Sequence, residues 1–193
     1  MKNNRFALLM AICALFSSCA TVRLTQDERD ALNVLQRYVQ LDRSGARLDG
    51  TRYHSMAELV SWTDEPGWDS FVVSPGLAIG RPVAAGEKVT ARVRYDVEGV
   101  MDGDTFYPLD ALTPEASARF GIGDPVEYVL VRMNDEWKIE SPLLPPHVGF
   151  GATRAFVEEL GAESSLRALD DAEYLAKLKG ARAGHCNCDR LDF

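Results

Sequence analysis

The chain has 193 residues, 46% of them hydrophobic, with 21 basic and 29 acidic side chains and a net charge of -8. That acidity excludes nucleic acid and anionic lipid as surface partners, because binding phosphate needs clustered Lys and Arg. The length and apolar fraction suit one domain with a real core.

At the N-terminus, Lys2 and Arg5 precede an apolar run over residues 6–16, and Ser17, Ser18, Cys19 and Ala20 follow it. A run of about eleven residues suits the core of an export signal and falls short of the ~20 that a membrane-spanning helix needs. The positive start, short apolar core and small pair before Cys19 resemble the bacterial lipoprotein signal peptide. In that family a Leu usually stands three residues before the cysteine, whereas this chain has Phe16 there and Leu15 one position earlier. The resemblance implies cleavage between Ser18 and Cys19 and acylation of Cys19. Several acyl chains then hold a membrane stably where one would not. Ala20, where retained relatives carry Asp, implies the outer membrane facing the periplasm in a Gram-negative host. The other reading of the same residues is ordinary signal cleavage near Ala20. Both readings export the chain, and loss of residues 1–18 removes Lys2 and Arg5, leaving 19 basic and 29 acidic side chains.

After a short tether at 19–24, Thr25 followed by Glu28 predicts a capping box that opens a helix to Arg43. Its apolar stripe carries Ala31, Leu32, Val34, Leu35, Tyr38, Val39 and Leu41, with Gln36, Arg37, Gln40 and Asp42 outside it. Gly45 and Gly50 break the pattern. A second box, Ser55 with Glu58, predicts a short helix ending near Trp62, and 64–67 turns the chain. Residues 71–79 predict a strand bent at Pro75, and Ala84, Ala85 and Gly86 a turn. Val89, Ala91, Val93, Tyr95 and Val97 alternate with Thr90, Arg92, Arg94, Asp96 and Glu98, which predicts a half-buried strand with a charged outer face. Asp102 and Gly103 form a hairpin turn, and Thr113 and Pro114 start a short helix that stops at Gly121. Residues 126–133 predict a strand, Asn134 and Asp135 a two-residue turn, and 137–139 the returning strand. Pro142, Pro145 and Pro146 end the sheet region. Two helices follow, 153–160 stopped by Gly161 and 165–179 stopped by Gly180, the second with a Glu173–Lys177 pair. The organisation is a signal at 1–18, the tether, one domain at 25–180 and a short tail at 181–193.

Helices, then a curved antiparallel sheet, then helices again make an α+β class. The long alternating strand, the turn at Asn134 and Asp135 followed by Trp137, Lys138 and Ile139, and the proline-rich exit resemble the NTF2-like (cystatin-like cone) superfamily. The resemblance covers residues 25–148. It implies a cone around a cavity that some members use for catalysis and others for binding or assembly, so the fold decides no activity. The side chains that would line the cavity are His54, Trp62, Trp68, Tyr95, Tyr128 and Trp137, and packing in the core is the stronger expectation for the aromatic ones. No acid–base constellation of the superfamily maps onto this chain, and Asp96 and Glu98 are expected to face outward beside Arg92 and Arg94.

Other chemistry is thin. No Gly-x-Ser-x-Gly elbow is present, and His54, His147 and His185 show no paired metal spacing. Asp102 and Asp104 lack the other ligands of a calcium loop, and Gly121 with Gly123 follows no strand and so makes no phosphate cradle. Only His185, Cys186 and Cys188 form a candidate metal group, which needs a fourth ligand from elsewhere or from a second chain; oxidised thiols are the stronger expectation in an oxidising compartment. No catalytic residue and no cofactor are expected. The expected function is therefore a membrane-anchored, non-enzymatic binding or assembly module of the cell envelope. Its partner would be an unidentified protein, a small molecule or a second copy. An enzyme or carrier using the cone cavity, and a metal-handling protein using the tail, are the alternatives.

Overall fold

The structure is a computed structural model that describes residues 23–48, 50–64 and 67–183, the side chains of 181–183 excepted. The signal, Ser18, Cys19 and the metal-tail residues His185, Cys186 and Cys188 lie outside the described residues. The class is α+β, with five α-helices and two sheets among those residues. No described helix is long and apolar enough to cross a membrane.

Helix α1 (Gln26–Arg43) begins as its sequence dictates. Thr25 Oγ1 accepts the Glu28 N–H at 3.2 Å while Glu28 Oε2 accepts the Thr25 N–H at 2.7 Å, so two orphan donors are satisfied together. Its buried face carries Ala31, Leu35, Tyr38 and Val39 at helical spacing. Asp42 also lies on that face, against the expectation that it sits outside. Helix α2 (Gly50–Ala57) starts five residues before Ser55. The expected cap at Ser55 is wrong because its hydroxyl donates to the Arg52 carbonyl within the helix at 2.7 Å. Beyond α2 the chain extends, and Val60 bridges Ile139 in parallel.

Strands β1 (Ser70–Val73) and β2 (Gly76–Ile79) replace the single bent strand expected over 71–79. Pro75 separates them, and they enter different sheets, because a residue without N–H cannot continue a ladder. Strand β3 (Val83–Ala85) takes in two of the three residues expected to turn, leaving Gly86, at φ 65°, to turn into β4 (Lys88–Asp96). Strands β5 (Gly99–Asp102) and β6 (Thr105–Pro108) form the expected hairpin around Gly103. A single 3-10 turn, Leu109–Ala111, leads to α3 (Pro114–Arg119), capped by Thr113. Strands β7 (Val126–Met133) and β8 (Glu136–Ser141) join through Asn134 and Asp135, both at positive φ as a two-residue hairpin requires. After a cis Ser141–Pro142 bond come β9 (His147–Val148), α4 (Phe150–Leu160) and α5 (Glu163–Ala183). Gly161 ends α4 in the left-handed region, whereas α5 runs through Gly180, where a stop was expected. Glycine in a helix costs about 1 kcal/mol and does not by itself end it.

Where one curved sheet was expected, the strands divide between two. One sheet has the order β6-β5-β1-β9, antiparallel except for the parallel β1–β9 pair. The other has the order β2-β4-β7-β8, all antiparallel, with β3 also pairing β4. The first core cluster lies between α1 and the β4-β7-β8 face, around Leu35, Tyr38, Val93, Leu130 and Ile139. The second joins Phe71, Met101 and Phe106 to Val157 and Leu169 of α4 and α5. Ser165 of α5 ties the edge strand β6 into this layer, donating to the Asp104 carbonyl at 2.6 Å and accepting the Phe106 N–H at 3.1 Å.

At Gly99 a Cβ would meet the Tyr107 carbonyl and lie 2.6 Å from the Phe106 ring. Gly99→Ala is expected to cost about 1–3 kcal/mol of stability through forced repacking. Urea unfolding should show an earlier midpoint with an unchanged slope.

Candidate functional site

The residues expected to line a cavity are brought together only in part. His54 is exposed on α2, and Trp68 is half-buried with the Arg47 guanidinium 5.4 Å from its ring centroid. Trp62, Tyr95, Tyr128 and Trp137 pack into the first core cluster. Of the six, Tyr95 and Tyr128 are the pair joined directly, their hydroxyls 2.8 Å apart. Alternation along β4 and β7 points both rings toward α1, where Tyr128 meets Tyr38 edge-on at 6.0 Å between centroids.

Those tyrosines border a buried polar group that the sequence does not announce. Asp42 ends the buried face of α1, and its carboxylate faces Arg47 at 3.6 Å, both side chains only 1% exposed. Its other oxygen accepts the backbone N–H of His147 at 2.9 Å. Arg47 also donates to the Tyr38 hydroxyl at 3.3 Å and to the Leu144 carbonyl. The charge is thus kept inside by paired contacts, which is why Asp42 departs from the outward position expected of it. His147 stacks on Tyr95 at 4.0 Å between ring centroids, and its Nδ1 meets no hydrogen-bond partner among the described residues. Burial first, and the Arg47 charge second, hold its pKa down at about 4, while the Pro145 carbonyl acts in the opposite direction. Burial likewise pushes the Tyr95 and Tyr128 hydroxyls well above the ordinary tyrosine range. These groups stay neutral and act as fixed donors and acceptors.

A second feature opens to solvent. A groove of about 580 Å³ runs between the start of β2, the end of β4 and the outer face of α5. Pro75, Val97, Phe150 and Ala176 give it a half-buried apolar lining, while Asp96 and Lys177 stand exposed at its margins. Glu98 and Lys179, paired at 2.9 Å, tie α5 to the connection after β4. The outward placing of Asp96 and Glu98 thus gives them a groove to border, and Arg92 pairs instead with Glu127 at 3.2 Å. A Cβ at Gly76 would meet the Asp96 carboxylate, the end of an exposed side chain that can turn aside. Among the described residues no group of three or more His, Cys, Asp or Glu is placed to hold a metal ion.

No protein-family model, curated protein or solved structure matches the chain.

Two outcomes follow from the buried group. An unfolded His147 binds its proton near pH 6.5 and the folded one near 4, so stability is complete above about 6.5 and falls as the pH drops toward 4. The loss attributable to this residue is roughly 3 kcal/mol. His147→Phe should flatten that part of a stability–pH curve measured by urea unfolding. Asp42→Ala, which strands the Arg47 charge inside, should cost about 3–5 kcal/mol at neutral pH.

Proposed function

We propose that this chain is an exported lipoprotein, anchored through acyl chains on Cys19, whose α+β domain is a non-enzymatic binding or assembly module of the cell envelope. The residue after the cysteine, Ala20, favours the outer membrane facing the periplasm where the host has one. The finer architecture we propose is a cone of the NTF2-like kind, supported by α1 lying across the β4-β7-β8 face.

The observation that carries the binding role is the placing of the groove relative to the tether. Gln26 starts α1 only seven positions after Cys19, and Asp27 pairs at 3.3 Å with Arg132 near the β7–β8 turn. At the other end of α1, the Arg43 guanidinium donates to the carbonyl of Pro75, which lines the groove. Eighteen helical residues separate the two ends by about 27 Å. The groove therefore opens at the opposite end of α1 from the helix start that follows Cys19, on a side where a partner in the aqueous compartment would meet it. Its apolar lining with charges of both signs at the margins suits a segment of a protein partner.

Metabolic labelling with a clickable palmitate tests the anchor. Wild type should label and Cys19→Ala should not; equal labelling of both, or none of either, overturns it. The binding role is tested with a photo-crosslinking amino acid at position 176 in the groove and, separately, at position 136 in β8 near the tether end. A discrete adduct from 176 and none from 136 is the expected result in intact cells. Identical adducts from both positions, or none from either, would remove the groove from consideration.

A further inference from the structure

We infer that His147 is an acid-released latch on the groove, whose protonation frees residues 142–150 and moves Phe150 out of the groove lining. The inference rests on the groove being the binding site and adds its regulation.

The geometry runs through a few consecutive residues. His147 and Val148 form the short parallel strand β9, whose pairing with β1 covers only Val72 and Val73. The next residue, Gly149, donates its N–H to the Arg43 carbonyl at 2.9 Å, and its own carbonyl receives both the N–H and the hydroxyl of Thr153 in the first turn of α4. Phe150 follows and lines the groove. Besides the His147 contacts, the segment is held by the Val72 N–H donating to the Pro146 carbonyl at 2.8 Å and the Ser74 N–H donating to the Val148 carbonyl at 2.7 Å. The Arg47 guanidinium on the Leu144 carbonyl and the burial of Val148 add to these, so the latch must release them together. Upstream, residues 142–146 include three prolines and so offer few backbone donors.

The surroundings of His147 accept a neutral ring and oppose a charged one. From α1 it meets the Asp42 carboxylate, which takes its backbone N–H, with Tyr38 and Arg43 nearby on the same helix. After α1 stands the Arg47 guanidinium, from β4 the stacked Tyr95 ring, and behind that Tyr128 of β7. Strand β1, Ser70–Val73, carries no ionisable side chain. The sole carboxylate among these groups already faces Arg47 at 3.6 Å. A proton on Nδ1 would create a buried donor with no described acceptor, beside an existing cation. Leaving the pocket places the imidazolium in water, and the shortness of β9 lets it leave without dismantling the larger sheet. The depressed pKa of about 4 agrees with a ring that resists charging while it is held.

The test uses the full chain with 4-fluorophenylalanine at position 150, followed by fluorine NMR from pH 7.5 to 3.5. Far-UV circular dichroism and amide exchange in β4 and β7 report the rest of the fold. The expected result is a new resonance for position 150 with a midpoint near pH 4, with β4 and β7 still protected. His147→Phe, which keeps an aromatic ring against Tyr95, should abolish the change. If that variant does not fold, His147→Asn, whose side chain is smaller and does not titrate over this range, decides by the same readout, with Arg47 and Asp42 left in place. An unchanged resonance, the same transition in His147→Phe or His147→Asn, or loss of protection in β4 and β7 at the same pH would overturn the latch. The sample contains no partner and needs no lipid, so its failure leaves the crosslinking result at position 176 standing on its own.

Discussion

The buried contact between Asp42 and Arg47 is the constraint on which the arrangement of this domain turns. Neither charge can remain inside without the other, so the end of α1 and the connection that follows it are locked into one geometry. That geometry then reaches both sheets. Asp42 holds the backbone of β9 in one sheet, and Arg47 grips the Leu144 carbonyl on the segment arriving from the other. The two sheets share no strand pairing in the described residues, and this polar group does part of the work that a continuous ladder would do.

Specificity is a better description of its role than strength. A hydrophobic group of the same shape could match the stability of a buried ion pair, but it would not distinguish one register of β9 from another. The acceptor on Asp42 recognises a single backbone N–H, and β9 is too short to set its own register. Two side chains on one short stretch of chain thus determine where α4 begins and, through Phe150, how one side of the groove is shaped.

The elements that were legible are those whose signals are local. The Thr25 capping box, the alternation from Val89 to Tyr95, the Asn134–Asp135 turn and the glycine stop at Gly161 each depend on residues within one turn or one strand. The errors occur where a distant partner decides. Pro75 was visible as a break, but its effect of sending β1 and β2 into separate sheets depends on β4 and β5. Ser55 has the composition of a cap, yet its hydroxyl finds a carbonyl inside its own helix. At the site, Tyr95 was legible as an inward-facing ring by the alternation of its strand, and Tyr128 as a large aromatic of an expected strand. Asp42 looked like a surface residue and His147 like a lone histidine, because the partners that explain them are up to 105 positions away along the chain. The groove was not legible at all, since α5 meets the start of β2 only through the folding of everything between them.

The hydroxyl of Ser165 has a consequence for the company this protein keeps. Strand β6 is the outer strand of its sheet, and such a rim invites a second chain to pair with it. Here the Phe106 N–H that would receive an incoming strand is already bonded to a helix side chain. That edge of the sheet is therefore finished by α5 rather than by another strand. Its resistance to clumping depends on that helix staying docked, so α5, made after these strands, also protects them.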